Sequence, residues 1–241
     1  SAIRPIEKAP KALTGALRYL QGNEDLGIYR VGVRASENTK SIEVALWTPP
    51  SSFPRGFAAK QLKDAIGATS IVRVLAHPGK ERKIKRVEVL EGEGCWREKM
   101  DVEVHGQSIV SKFRISAPSF FQVNTLQAQK LVSLALEGIG CEEGSDVADV
   151  YSGAGTFSIP AAKLGCNVCA IELAGSSTKD LTRNAEANDV YVDVICDDAS
   201  IVLPELGDFD AIIVDPPRSG LAKEVIDAIV SSGAKRLSYV S

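Results

Sequence analysis

The sequence predicts an α/β protein in which a smaller α+β domain precedes a parallel, doubly wound sheet. Two observations lead to this prediction. From Ser116 onward, short apolar runs alternate with segments of helical periodicity, which is typical of parallel strands joined by crossover helices. Before that point, short strands surround one predicted helix. The 241 residues are 44% hydrophobic and suffice for two domains, which we place at residues 1–115 and 116–241.

The first half has alternating apolar runs bounded by turn residues. They predict strands at 27–34, 41–47, 70–76, 86–91, 101–105 and 108–114, and a helix at 58–66. The proline-rich run at 48–56 cannot sustain a strand ladder, so we predict a loop there.

The second half alternates between strand and helix patterns. The pattern predicts strands at 147–151, 167–171, 192–196, 211–214 and 236–240, and helices at 125–137, 157–164, 176–188 and 223–231. Because strands alternate with helices along this half, we expect parallel strands with helices on both faces of the sheet.

Charge divides the chain at the same boundary. Residues 1–115 carry 20 Lys and Arg against 13 Asp and Glu, whereas residues 116–241 carry 8 against 18. A basic half beside an acidic half suits an enzyme that acts on a polyanion. Two domains with unrelated surface compositions would give the same counts, and that alternative stays open.

The cysteine and histidine counts argue against disulfides and metal centres. Five scattered cysteines in a chain without an export pattern predict no disulfide. Cys166 and Cys169 have metal-ligand spacing, but they lie on a predicted strand without a second pair. His77 and His105 are the only histidines, so we expect no metal. No apolar run reaches about 18 residues, so we expect no membrane segment and a cytoplasmic location.

Polar residues follow four successive strands of the predicted sheet. Ligands of such sheets bind beyond the carboxyl ends of the strands. The turn Ser152–Gly155 follows the first strand, and its glycines let the backbone approach a ligand closely. Glu172 follows the second strand, where it can accept hydrogen bonds from ribose hydroxyls. Asp198 and Asp215 follow the third and fourth strands. The sequence therefore predicts a nucleoside site at this edge.

The spacing of the turn favours S-adenosylmethionine over a dinucleotide. A dinucleotide fingerprint needs a third glycine where Ser158 stands, and Glu172 comes only 17 residues after Gly155. The two prolines after Asp215 remove backbone donors and fix the chain, so its carboxylate is held rigidly at the cleft. Arg218 can pair with a phosphate or with an acidic neighbour, and both readings stay open.

Residues 113–241 resemble the catalytic domain of the S-adenosylmethionine-dependent RNA 5-methyluridine methyltransferases, which have a Rossmann-like class I methyltransferase sheet. Four motifs carry the resemblance: Phe120–Asn124, Asp149–Phe157, Glu172 and Asp215–Gly220. It implies methyl transfer to carbon 5 of a uridine in tRNA or rRNA, with Asp215 near the target base. It also implies these cofactor-binding residues: Gln122, Tyr151, Ser152, Gly153, Gly155, Thr156, Glu172, Asp198 and Asp215.

The resemblance also implies a nucleophilic cysteine directly after the fifth strand and a glutamate beyond it. Neither stands at a matching position, and the cysteine would follow Ser241. We therefore expect a sheet that is incomplete at its C-terminal end and a fragment that is inactive as given. A catalytically inactive module that binds cofactor or RNA is the alternative. An amino-directed base methyltransferase is a weaker one, because Arg218 stands where those enzymes carry an aromatic residue.

A basic run supplies candidate RNA contacts. Together with Arg218 they are Lys80, Arg82, Lys83, Lys85 and Arg86. A tryptophan nearby, Trp47 or Trp96, would strengthen this assignment by stacking a base. The alternative is a solvated loop and strand edge, where lysines also discourage edge pairing.

Overall fold

The computed structural model describes residues 9–22, 25–79, 84–122 and 124–240. The chain divides into two compact units: one runs to residue 98 and includes 116–118, and the other comprises 99–115 and 119–241. The sequence analysis placed the boundary after residue 115. In the structure, residues 99–115 belong to the second unit, whereas the sequence pattern had assigned them to the first.

The first unit is a four-stranded sheet with two helices. Its elements are α1 (Ala9–Gln21), β1 (Arg30–Ala35), β2 (Ile42–Thr48), α2 (Arg55–Ile66), β3 (Ser70–Leu75) and β4 (Arg86–Glu91). The strand order is β1-β2-β3-β4, and only β2 and β3 run parallel. The sequence predicted one helix here, and that was wrong, because α1 was missed. Its buried Leu13 and Leu20 are seven residues apart, two helical turns, and join the core under the sheet.

A β-hairpin follows, built from β5 (Cys95–Val104) and β6 (Gln107–Ser116). Along β5 buried and exposed residues alternate strictly, so one face of the hairpin is covered and the other is open. The connecting residues His105 and Gly106 both have positive φ, 50° and 78°, as a tight two-residue turn requires.

The second unit contains a five-stranded parallel sheet. Its strands are β7 (Asp146–Val150), β8 (Asn167–Ile171), β9 (Asp193–Ile195), β10 (Ala211–Val214) and β11 (Arg236–Tyr239). Its helices are α3 (Thr125–Gly138), α4 (Ser158–Lys163), α5 (Gly175–Ala187), α6 (Ala199–Val202) and α7 (Lys223–Ser231), with a 3₁₀ turn at Leu203–Glu205. The order β11-β10-β7-β8-β9 confirms the Rossmann-like α/β prediction. The sequence missed α6 and the 3₁₀ turn, which are too short to show a period.

The register of this sheet aligns the carboxyl ends of its strands. Val150 at the end of β7 pairs with Ile171 on one side and with Val214 on the other. Ile171 pairs in turn with Ile195 of β9. Strand order reverses between β7 and β10, which is where ligands of doubly wound sheets bind. The residues after Val150, Ile171 and Val214 therefore leave the sheet at one edge.

Two of the five cysteines are joined. Cys141, after α3, forms a disulfide with Cys166, just before β8, with Cα atoms 6.8 Å apart. The prediction of no disulfide was therefore wrong. The two residues lie 25 positions apart in the sequence, and only the packing of the two loops brings them together. In the described part of the chain, no helix is both long and apolar enough to cross a membrane.

Candidate functional site

The turn between β7 and α4 has a strained, closely packed backbone. Tyr151, Gly153 and Gly155 have φ values of 66°, 57° and 93°. A Cβ atom on Gly155 would lie 3.0 Å from Cγ1 of Ile159 and 3.2 Å from Cγ of Leu181, so position 155 needs glycine. The amides of Tyr151 and Ser152 both donate to the carbonyl of Ile171, at 2.9 and 3.1 Å. The turn is thereby fixed to the end of β8.

Glu172 connects the second strand end to this turn. Its Oε2 accepts a hydrogen bond from the Gly153 amide at 3.0 Å, and its Oε1 accepts one from the Ala174 amide at 2.7 Å. The backbone amide of Glu172 donates to Ile195 at 3.0 Å. Each carboxylate oxygen keeps a lone pair after these bonds. The half-buried carboxylate is thus held in place and can still accept a hydrogen bond from a hydroxyl.

Asp149, on β7 beneath the turn, is a fully buried acid that the sequence analysis gave no role. Ser158 donates its hydroxyl to Oδ2 of Asp149, whereas Oδ1 has no hydrogen-bond partner among the described residues. Burial raises the pKa of Asp149 to about 7, and the negative charges of Asp215 and Glu172 add to the rise, against the bonds from Ser158. The sequence does contain a signal that could have marked Asp149. An acid inside an otherwise apolar strand is buried, and a buried carboxylate needs hydrogen-bond partners.

Asp215 follows β10 and faces Gln122. The Gln122 amide donates from Nε2 to Oδ2 of Asp215 at 3.4 Å, and the Asp215 amide donates to the Val150 carbonyl at 3.3 Å. Burial raises the pKa of Asp215, while the bond from Gln122 opposes the rise. Two of the predicted motifs, 93 residues apart in the sequence, therefore meet at this carboxylate.

Tyr151 and Asp198 line a cavity of about 400 Å³ beside these groups. Asp198 caps α6, and its Oδ1 accepts bonds from the Ser200 amide and hydroxyl at 2.9 and 2.8 Å, which lower its pKa. Burial, with the charge of Asp198, raises the pKa of the Tyr151 phenol. The other lining residues are Ile171, Leu173, Asp197, Ala199, Ser200, Pro217, Ser219, Gly220, Leu221 and Ala222. Of the apolar ones, sequence reasoning had singled out only Pro217, while Ile171, Leu173, Ala199, Leu221 and Ala222 were given no role.

The remaining predicted cofactor residues lie within the turn. Ser152 and Thr156 are buried, at 3% and 8% exposure, and the Ser152 hydroxyl donates to Ile171 at 3.4 Å. Their side chains are therefore directed into the protein, and the turn can meet a ligand through its backbone. The cavity combines apolar walls with carboxylate acceptors. That combination fits an adenine ring with ribose hydroxyls and a cationic group.

The predicted RNA contacts are divided between the two units. Lys85 and Arg86 are exposed at the start of β4, and Arg218 is exposed after β10. Lys80, Arg82 and Lys83 lie outside the described residues.

Neither tryptophan can present an open ring face to a base. Trp47 and Trp96 are 6% and 3% exposed, and the Arg30 guanidinium lies over the Trp47 ring, 4.6 Å from its centroid. Neither ring therefore adds the support that a stacking tryptophan would have given to the predicted RNA contacts. Across the described ranges, no group of three or more His, Cys, Asp or Glu side chains is arranged to hold a metal ion.

The chain is similar in sequence to known RNA methyltransferases. A family model described as tRNA (Uracil-5-)-methyltransferase matches residues 58–197. A protein of Lactobacillus johnsonii described as an uncharacterized RNA methyltransferase is 32% identical over 237 residues, covering 94% of this chain and 48% of the relative. A protein of Thermosynechococcus vestitus with the same description is 30% identical, covering 92% and 49%. The chain thus spans about half the length of these relatives.

Solved structures show the same fold. The tRNA (uracil-54, C5)-methyltransferase of Pyrococcus abyssi, solved in complex with S-adenosyl-L-homocysteine, superposes with a TM-score of 0.73 and 23% identity, covering 96% of this chain and 57% of that one. The tRNA m1G37 methyltransferase of M. jannaschii superposes with a TM-score of 0.51 and 16% identity, covering 93% and 62%.

Proposed function

We propose that this chain, which belongs to the tRNA (uracil-5-)-methyltransferase family, binds S-adenosylmethionine at the carboxyl edge of its parallel sheet. We further propose that it serves the methylation of carbon 5 of a uridine in tRNA or rRNA. Membership of the family confirms the resemblance found in the four motifs. The observation that supports cofactor binding most directly is the bond from the Gly153 amide to Glu172, which joins turn and acid beside a cavity of nucleoside size.

In this proposal each residue at the carboxyl edge of the sheet contacts a different part of the cofactor or substrate. Glu172 accepts hydrogen bonds from the ribose hydroxyls, because its two oxygens are fixed and keep free lone pairs. Leu173 and Leu221 enclose the adenine, and Asp198 borders the same cavity. Asp215, oriented by Gln122, faces the reacting groups. When bound, the cofactor supplies a methyl group on a sulfonium. The residues hold it in place and exclude water around it.

The RNA would be held by phosphate contacts from exposed cations, among which we propose Lys85, Arg86 and Arg218. The cytoplasmic location expected from the sequence belongs to the same proposal.

Carbon 5 of uracil is a poor nucleophile and needs attack by a thiolate at carbon 6. Burial, with the charge of Asp193, raises the pKa of the Cys169 thiol to about 11, so that side chain stays protonated. We therefore do not assign the nucleophile to Cys169, and Cys141 and Cys166 are joined in the disulfide.

Replacing Glu172 with alanine tests the cofactor site. We expect the wild-type chain to bind S-adenosylhomocysteine and Glu172→Ala to bind it about 30-fold more weakly, since a charge-assisted hydrogen bond is lost. Isothermal titration calorimetry at constant pH measures both dissociation constants. Glu186→Ala is the matched control, because Glu186 is an exposed acid on α5 outside the cavity.

Two results would contradict the proposed cofactor site. One is a folded wild-type chain that shows no heat of binding with S-adenosylhomocysteine. The other is a dissociation constant that Glu172→Ala and Glu186→Ala change by the same factor.

A further inference from the structure

Two asparagines on the inner face of α5 are buried in a way that demands partners. Asn184 lies within the helix and is 0% exposed, and Asn188 directly follows its last residue and is 7% exposed. A buried side-chain amide is costly unless its oxygen and its nitrogen are both hydrogen-bonded. The hydrogen-bond partners of these two amides therefore show which segments α5 is attached to.

Both asparagines accept hydrogen bonds from one edge of β6. Oδ1 of Asn184 accepts from the Arg114 amide at 2.8 Å, and Oδ1 of Asn188 accepts from the Lys112 amide at 2.9 Å. Four helical residues rise about 6 Å and two strand residues about 6.7 Å, so the two spacings match. The asparagine side chains thus accept hydrogen bonds from alternate backbone amides of β6, as a neighbouring strand would.

The two amide nitrogens have different targets. Nδ2 of Asn188 donates back to the carbonyls of Lys112 and Asn184, at 2.6 and 2.7 Å. Nδ2 of Asn184 instead donates to the carbonyl of Ala154, at 2.9 Å. Ala154 stands between the two glycines of the turn that follows β7. Of this pair, only Asn184 links β6 to that turn.

The bond to Ala154 fixes one peptide plane of the turn at both ends. The carbonyl of Ala154 and the amide of Gly155 belong to one planar group and point in opposite directions. The Gly155 amide donates to the Ser152 carbonyl at 3.0 Å, while Asn184 holds the carbonyl side. The plane cannot rotate without breaking both bonds. The neighbouring amide of Gly153 is then presented to Glu172 at 3.0 Å.

We propose that Asn184 is a positioning residue for cofactor binding: it holds the glycine turn in its binding conformation by joining Ala154 to β6. The assignment rests on the proposed cofactor site. Asn184 acts through the turn, and Asn188 only attaches the helix to the strand. Losing the bond to Ala154 therefore weakens cofactor binding beyond any loss of stability.

The test compares Asn184→Asp with Asn188→Asp in the full chain. Aspartate at 184 still accepts from Arg114, but its second oxygen repels the Ala154 carbonyl instead of donating to it. We expect the dissociation constant for S-adenosylhomocysteine to rise about tenfold in Asn184→Asp and to stay within about twofold in Asn188→Asp. Calorimetry gives the dissociation constants, and urea unfolding without ligand gives the stability loss of each variant.

A second readout separates positioning from general damage. A protonated carboxyl at 184 can donate to Ala154 and accept from Arg114, as the amide does. The ratio of the Asn184→Asp to the wild-type dissociation constant should therefore fall toward one between about pH 8 and about pH 5.5. If the aspartate variants do not fold, Asn184→Ala against Asn188→Ala replaces them.

The outcomes are distinct. Wild-type binding with a selective loss in the Asn184 variant supports the inference. Equal losses at both positions, an unchanged Asn184 variant, or failure of both Asn184 variants to fold overturn it. Absence of binding by the wild-type chain contradicts the proposed function itself.

Discussion

Asp149→Asn should make the protein more stable than the wild type at neutral and higher pH. Asp149 is fully buried, with Oδ1 unpartnered among the described residues, and burial raises its pKa from 3.8 to about 7. The ionised form is therefore costly, and an asparagine resembles the protonated acid without carrying a charge. We expect the wild type to lose about 3 kcal/mol of unfolding free energy between pH 4 and pH 7 through this group, and the variant to lose none of it.

The direction follows from where the proton is held. The folded chain keeps the Asp149 proton at pH values where the unfolded chain has released it. The stabilising contribution is thus complete below 3.8 and lost as the pH rises through about 7. The raised pKa of Asp215 acts in the same direction, and the lowered pKa values of Asp198 and Glu88 act in the opposite one. Subtracting the unfolding free energy of Asp149→Asn from that of the wild type at each pH isolates the contribution of the Asp149 carboxyl.

Urea unfolding followed by far-ultraviolet circular dichroism at several pH values measures this difference. Asp146→Asn is the matched control, since Asp146 is an exposed acid at the opposite end of the same strand. Parallel pH profiles for wild type and Asp149→Asn would show that the carboxyl is ionised at no cost and would refute the prediction.

Arg73→Leu should destabilise the first unit by about 3 to 5 kcal/mol, the range for breaking a buried ionic network from one side. Arg73 is 1% exposed. Its guanidinium donates to Thr48 at 2.7 Å, to Glu88 at 3.3 Å, and to the carbonyls of Pro49 and Ser51, each at 3.0 Å. Leucine fills part of the space and leaves these acceptors without a donor.

The same side chain organises the proline-rich loop that the sequence predicted between β2 and α2. Besides its bonds to that loop, the Arg73 guanidinium lies 4.4 Å from the Phe53 ring centroid. Both tryptophans belong to the first unit, so their fluorescence during urea unfolding reports on it. Arg55→Leu is the control: Arg55 also binds Glu88, but its side chain is 56% exposed, and we expect a much smaller loss. Equal losses in the two variants would contradict the argument.

The sequence was sufficient to predict which residues of the candidate site follow the ends of strands. An apolar run followed by a turn or an acid marks the position of Glu172 and Asp215, whatever the order of the strands. That order and the register became known only from the structure, and they show that the four ends share one edge. The family motifs had anticipated Gln122 at the same place, and the structure brings its side chain within 3.4 Å of Asp215.

Partners far apart in the chain could not be predicted in this way. Asn184 is hydrogen-bonded to a residue 70 positions away, and a helical pattern shows only that position 184 faces inward. The disulfide of Cys141 and Cys166 was missed for the same reason. Asp149 is different, because its buried position in a strand was predictable, while the pairing with Ser158 was not.

The contact between α5 and β6 has a consequence for how the hairpin can evolve. The hydrogen bonds that join the two asparagines to β6 go to the peptide groups of residues 112 and 114. Every amino acid except proline offers the same backbone donor, so the hydrogen bonds from β6 to the two asparagines do not depend on which side chain stands at the exposed positions 112 and 114. Substitutions at positions 112 and 114 can therefore change the charge of this outward face while these backbone hydrogen bonds to the helix remain unchanged.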